Sequence, residues 1–169
     1  MAAGVDALLD GFQRALSGRD DAAFTAVCAP DVQYEDPLCS APLVGPAALV
    51  GHVRRLWRGV SDVRVETTGQ RVGDGRFAAG PCKVLGTHDG ALGAIPATRR
   101  ALDVHVMLYV ELDPPGERLW RIRAFFDLYD AAVQVGVLPA RHTLAERTLL
   151  MMRGFGLRAR GARGITARR

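Results

Sequence analysis

The run Ala101–Leu112 constrains this chain more than any other stretch. Leu102, Val104, Val106, Leu108 and Val110 fall on one side of a strict alternation, and Asp103, His105, Met107, Tyr109 and Glu111 on the other. A period of two held over twelve residues belongs to a strand with one covered face. Asp113-Pro114-Pro115-Gly116 is a turn by composition, and it returns the chain into Leu119–Asp127, where aromatic and β-branched residues crowd together. The two strands therefore pair as antiparallel neighbours, and their shared apolar face needs a cover.

The cover lies in the first third of the chain. Val5, Leu8, Leu9, Phe12 and Leu16 recur at helical spacing, so residues 5–17 read as an amphipathic helix that Ser17-Gly18 ends. Asp20 can cap a short helix over Asp21–Cys28, closed by Pro30. Val32–Pro37 alternates like a short strand, and residues 37–45 form a Pro/Gly-rich loop. Pro46 sits at the first turn of a helix reaching Arg58, with Leu49, Val53, Leu56 and Trp57 as its apolar stripe. His52, Arg54, Arg55 and Arg58 lie mostly opposite that stripe and read as a solvated face. Val63–Thr67 and Arg76–Thr87 are further strands, joined across Gly73-Asp74-Gly75, residues that tolerate positive φ. An extended segment follows those glycines where a phosphate-binding loop would need a helix. Helices first, then about four hairpin-connected strands and a closing helix, predict an α+β domain: a curved, mostly antiparallel sheet wrapped around N-terminal helices, a cone with an internal pocket.

A chain of 169 residues that is 49% apolar suits one such domain, expected over 1–138. No apolar run approaches the ~20 residues that span a bilayer, and the N-terminus lacks the order of a signal peptide, so a cytoplasmic protein without membrane contact is expected. Cys28, Cys39 and Cys82 are odd in number and widely spaced, which points to buried apolar residues and to no disulfide framework, zinc knuckle or other metal site. From Pro139 onward eight arginines stand against Glu146 alone, +7 of a net +4, which leaves −3 for the body. The basicity belongs to a tail, residues 139–169, and so does not indicate nucleic acid. In that tail Leu144, Leu149, Leu150 and Met151 predict a helix of ~10 residues packed on the body or on a dimer mate, with an Arg-rich disordered end beyond it.

The sharpest chemical hint in the residues themselves is Asp127, a carboxylate at a strand end beside Phe125 and Phe126. Aromatic surroundings would raise its pKa into the range useful to a general base. Its strand-end position suits equally an N-cap for the helix that follows.

The stretch Thr87-His88-Asp89-Gly90-Ala91-Leu92-Gly93-Ala94-Ile95-Pro96-Ala97-Thr98-Arg99-Arg100 resembles the SnoaL-like polyketide cyclase family, a branch of the nuclear-transport-factor-like, cystatin-like cone superfamily. Tyr34-Glu35-Asp36-Pro37, Gly45-Pro46, Phe126-Asp127 and Gln134-Val135-Gly136 match it in order and spacing, and together the pieces span 5–138. Arg99 departs from the pattern, which has glycine there. The resemblance implies a pocket for an aromatic polyketide ester, with an aspartate at the Asp127 position that deprotonates an acidic carbon so that the enolate closes a ring by intramolecular aldol attack. It implies no cofactor, a small apolar or aromatic polyketide-like substrate, and Asp127 as general base more than cap.

Such chemistry needs donors at the enolate oxygen, and the candidates are His105, His88, Tyr34 and Tyr109. The alternation turns His105 outward, and the same parity test turns Asp127 outward unless a bulge intervenes. His88 either pins the family loop or transfers a proton. Tyr34, Trp57, Tyr109 and Phe125 are candidate pocket walls. A limonene-type epoxide hydrolase uses a similar cone but pairs its aspartate with an acid on the strand where Phe77–Val84 stands, and that strand has none. A ketosteroid-isomerase-like proton shuttle and a non-catalytic binding module complete the alternatives. Met107 and Tyr109 on a mixed outer face suggest a homodimer through the sheet.

Overall fold

A computed structural model describes residues 4–152. The long alternating run is β6 (Ala101–Leu112), paired over its whole length with β5 (Phe77–Thr87) and along most of β7 (Leu119–Phe126), both antiparallel. Around this centre the sheet runs β2-β1-β7-β6-β5-β3, with β1 (Cys28–Glu35), β2 (Leu43–Val44) and β3 (Arg64–Thr67), while β4 (Val72–Gly73) adds to β5. Among the described residues only β1 and β7 pair in parallel. α1 (Val5–Gly18), α2 (Asp21–Val27) and α3 (Pro46–Gly59) cover the inner face, and α4 (Leu128–Gln134) and α5 (Leu144–Met152) follow the sheet.

Alternation decides which side chains face the helices. Leu102, Val106, Leu108, Val110 and Leu112 of β6 are buried, as are Ile122 and Ala124 of β7. They meet Leu9 and Phe12 of α1, Phe24 of α2 and Leu49, Val53 and Trp57 of α3 in one core. Phe12 stands edge-on to Phe24 at 5.2 Å, and Phe24 lies 6.0 Å from Trp57. Each large side chain so buried contributes roughly 1.5–3 kcal/mol. The expected second helix ends one residue early, at Val27, and β1 starts four residues before the alternating segment. Pro30 lies inside that strand, where the β1–β7 register shifts between Cys28 and Gln33, an irregular stretch that tolerates the missing N–H. A second shift between Glu111 and Leu112 takes up one residue of β7, so that Leu119 is fully buried and Trp120 turns out to donate to Asp31.

The inner face is not filled evenly. Towards one end of the cone the inward residues Val84, Val104 and Phe126 are half-buried, and Leu56 of α3 and Leu92 of the 88–100 loop pack against the core with part of their surface wet. That end lies beside the 88–100 loop. α4 is fixed beside it by Gln134, whose side chain accepts from the Asp103 amide (2.8 Å) and donates to the Asp103 carbonyl (3.0 Å).

The tail helix exists as α5, nine residues long, but its apolar side does not pack on the body: Leu144, Leu150 and Met151 are exposed. Polar contacts tether it instead. The Tyr129 hydroxyl shares its one proton between the Pro139 carbonyl (2.9 Å) and Glu146 (3.2 Å), and Arg141 pairs with Asp127 at 3.0 Å. The Arg-rich end beyond Met152 lies outside the described residues. No helix among the described residues is long and apolar enough to cross a membrane.

Candidate functional site

The alternation that faces Ile122 and Ala124 inward holds without interruption to the end of β7, because the register from Arg121 to Phe126 is continuous. No bulge re-aims Asp127, which emerges on the outer side with its side chain 53% exposed. It caps α4 by accepting from the Asp130 amide (3.0 Å) and pairs with Arg141. That amide, with the Arg141 charge, holds its carboxyl below the usual range, the reverse of the shift expected from its aromatic neighbours. Phe125 (55% exposed) and Tyr109 share the outer face, and the Tyr109 hydroxyl is spent on Glu111. His105 lies there too, highly exposed and 4.0 Å from Asp103. Trp57 is core: its indole donates to the Leu16 carbonyl and ties α3 to α1. Four of these five lie on the outer side, and Trp57 is spent in the core.

The other two expected site residues face the interior of the cone. Tyr34 is inward on β1, opposite Ile122, and its hydroxyl donates to Asp36 Oδ2 at 3.0 Å. Asp36 leaves β1 with the same inward parity. Its Oδ1 accepts from the Leu38 amide (2.8 Å), and its Oδ2 lies 2.7 Å from Nε2 of His52, which projects from the middle of α3. Both side chains are nearly enclosed, 5% exposed for Asp36 and 11% for His52. Burial by itself would raise the Asp36 pKa; the hydrogen bond from His52, the charge that ring carries when it is protonated, and the Leu38 amide outweigh it and hold the group at about 2. Burial next to that carboxylate pushes the Tyr34 phenol well above its ordinary range.

The other imidazole nitrogen fixes the tautomer. Nη2 of Arg55, one turn along α3, lies 2.7 Å from Nδ1, and a guanidinium only donates. In this arrangement Nδ1 offers its lone pair, and Nε2 carries the proton shared with Asp36. The result is a chain, Arg55 to His52 to Asp36, with Tyr34 on the same Oδ2 as His52 and the Leu38 amide on the far oxygen. Sequence reasoning read His52 and Arg55 as solvated helix surface. The missed signal was Asp36 itself, an acid continuing the inward row of Val32 and Tyr34.

The sulfur of Cys39, a ring nitrogen of His52 and a carboxylate oxygen of Asp36 lie within 4.8 Å of one another, a donor set that could grip a metal ion. The arrangement does not favour one. To ligate through Nε2, a neutral imidazole must carry its proton on Nδ1, and that proton would face the Arg55 donor. Burial pushes the Cys39 thiol up, Cys28 up to about 12 and Cys82 up to about 11, so all three stay protonated and unreactive.

His88 is fully buried at the inner end of β5. Its Nδ1 meets the Thr98 hydroxyl at 2.9 Å and its backbone pairs with Arg99 and Arg100, so it does pin the loop, while Nε2 has no partner. Two hollows lie elsewhere on the surface: one of about 270 Å³ lined by Arg19, Asp21, Arg54, Trp57 and Arg58, so that Trp57 does border a hollow, though a polar one, and one of about 300 Å³ between α1 and the β4–β5 turn.

The architecture is shared with solved structures. TsrD from Streptomyces laurentii superposes with a TM-score of 0.68 at 21% identity over 79% of this chain and 96% of that one. IdmH from Streptomyces antibioticus, named a candidate polyketide cyclase, gives 0.66 at 19% identity over 77% and 96%. A Catenulispora acidiphila protein with a ketosteroid isomerase-like fold gives 0.64 at 20% identity over 80% and 96%. At these identities the likeness concerns the fold, which is the ketosteroid isomerase-like cone. No curated protein matches the chain. The SnoaL-like domain model matches residues 9–122, from α1 into β7 and through the whole Tyr34–Asp36–His52 cluster, and the chain belongs to that family.

Proposed function

We propose that the protein is a cofactor-independent enolising enzyme that closes a ring in a polyketide-type carbonyl compound, with His52 as the proton acceptor and Asp36 as its support. The observation that carries this reading is the enclosed Asp36–His52 pair, with Nε2 2.7 Å from the carboxylate and Nδ1 2.7 Å from the Arg55 guanidinium, an arrangement that assigns the ring proton to Nε2. A carboxylate held near pKa 2 is a poor base itself but a good stabiliser of an adjacent imidazolium.

In the reaction, Arg55 leaves Nδ1 for the substrate carbonyl. Nδ1 then takes a proton from the carbon next to that carbonyl, and the electron pair moves to the oxygen under the Arg55 charge. The enolate carbon attacks a second carbonyl of the same molecule, and the new alkoxide takes the proton back from Nδ1. No redox partner is needed. Family membership and the neighbouring candidate cyclase favour ring closure over isomerisation, which would use the same dyad. Epoxide opening is less favoured, because β5 carries no acid.

The test uses 2-tetralone, whose C1 protons lie between a carbonyl and an aromatic ring, and follows deuterium wash-in from D2O. His52→Gln and Asp36→Asn should each lower the enzyme-dependent rate ~10²-fold or more, with Asp127→Asn near wild type. A collapse in Asp127→Asn with His52→Gln unaffected would return the base to the position the family resemblance suggested. We also place the enzyme in the cytoplasm as a homodimer through the outer face of β5–β7, where Phe77, Met107 (44% exposed) and Phe125 stand uncovered.

A further inference from the structure

α5 turns its apolar residues the wrong way for a helix that serves only the domain. Glu146 accepts from the Tyr129 hydroxyl at 3.2 Å and Leu149 is half-buried, so the side of the helix that carries them faces the body. Leu144 and Met151 stand two turns apart on the opposite side, with Met152 beside them, and the three are 79%, 61% and 75% exposed. Arg147 flanks this stripe. Directly after Met152 the chain carries Arg153, Arg158, Arg160, Arg163, Arg168 and Arg169, and residues 153–169 hold no acid. An uncovered apolar stripe thus runs straight into a segment of one charge sign.

Three covers are candidates, and charge and polarity together separate them. A second copy could offer the apolar outer face of its sheet, but the charges around that face are already paired, Arg123 with Glu35, Arg121 with Glu111 and Lys83 with Asp103, and leave the arginines unmatched. A nucleic acid would neutralise the arginines and leave the leucine and methionines in water. An anionic lipid surface takes both, because the stripe enters the boundary between headgroups and acyl chains while the arginines stay among the phosphates. We infer that α5 and residues 153–169 form a peripheral attachment segment that binds the surface of an anionic phospholipid bilayer. Neither signal is sufficient by itself, and the chain places them next to each other. The contact is with the surface, since no helix among the described residues is long and apolar enough to cross a membrane. The Tyr129–Glu146 bond and the Arg141–Asp127 ion pair hold α5 at the end of β7, so the domain is carried beside the lipid and not on a long tether. None of these residues belongs to the Asp36–His52 cluster, and the inference stands apart from the reaction proposed above.

The experiment is co-sedimentation of the full chain with vesicles of phosphatidylcholine containing about one third phosphatidylglycerol, against vesicles of phosphatidylcholine alone, at ~0.15 M salt. Wild type should partition onto the anionic vesicles at least about tenfold more strongly than onto the neutral ones, and raising the salt to ~1 M should release it. Replacing Leu144, Met151 and Met152 together by Ser should weaken the partition ~10-fold or more, and so should replacing the six arginines from Arg153 onward by Gln. Because the serine changes could unwind α5, wild type supplies a second readout. Anionic vesicles should slow peroxide oxidation of Met151 and Met152, followed by mass spectrometry, while the rate at Met107 on the sheet stays as it was. Equal binding to both kinds of vesicle, binding to neither, or unaltered oxidation of Met151 and Met152 would each overturn the proposal. Partition that survives the serine changes, together with tighter binding to duplex DNA than to vesicles, would assign the arginines to nucleic acid instead. A change from dimer to monomer in the serine variant, with no vesicle binding by wild type, would assign the stripe to a second copy.

Discussion

At the scale of single residues, the cluster is Asp36, Tyr34, His52 and Arg55, and its signature should appear in the pH dependence of folding. The Asp36 pKa is depressed in the native protein, so the stability it contributes, about 2 kcal/mol, is fully present above the unfolded value near 4 and is lost as pH falls through about 2. Denaturant midpoints measured from pH 5 to pH 2 should drop steeply in wild type and more gently in Asp36→Asn; parallel curves would show that the carboxylate is not the group being titrated. Asp127→Asn keeps the cap oxygen and loses only an exposed ion pair, so its melting temperature should stay close to wild type in a thermal scan. These residues also show what one sequence can reveal. The parity of β7 pointed Asp127 outward, and the structure has it there. His52 could not be found by periodicity, because its partner is sixteen residues away on another element and a histidine beside arginines on a helix resembles solvated surface.

Among the elements, the long strands and the amphipathic helices were legible because burial imposes a period that single residues cannot hide. β2 and β4, two residues each, were not, since they carry no period; their pairing to β1 and β5 is set by the longer partner. The junction of α3 with the 88–100 loop was visible only as a glycine-rich motif, and the reason for one of its glycines is geometric. A Cβ at Gly90 would stand 1.8 Å from the Arg58 carbonyl oxygen, a backbone atom that cannot move aside without unwinding the end of α3. Gly90→Ala should therefore cost about 1–3 kcal/mol in urea unfolding. The same scan on Gly93→Ala, whose left-handed φ of 62° meets open space, should give a smaller loss, of backbone strain alone. Equal losses would mean that conformation, and not the close approach to α3, governs the loop.

For the whole molecule, the uncovered apolar residues of the outer face and the charged frame around them, Arg123 with Glu35, Arg121 with Glu111 and Lys83 with Asp103, suit a self-complementary contact. Light scattering at micromolar concentration should give twice the chain mass, and Phe125→Asp with Met107→Glu should halve it without changing the circular dichroism spectrum. A monomeric wild type would remove the dimer from the proposal. The parallel pairing of β1 with β7 has another consequence, in time and not in space. Trp120 bonds Asp31 across 89 residues, and Tyr34 reaches its neighbour Ile122 only after every intervening strand has been made. During synthesis the helices and β1 must wait on the ribosome with their apolar faces unshielded until the chain beyond Phe126 has emerged. Closure of this single non-local ladder is then the slow, rate-setting event of folding, and it is the interval in which the nascent chain is most open to aggregation.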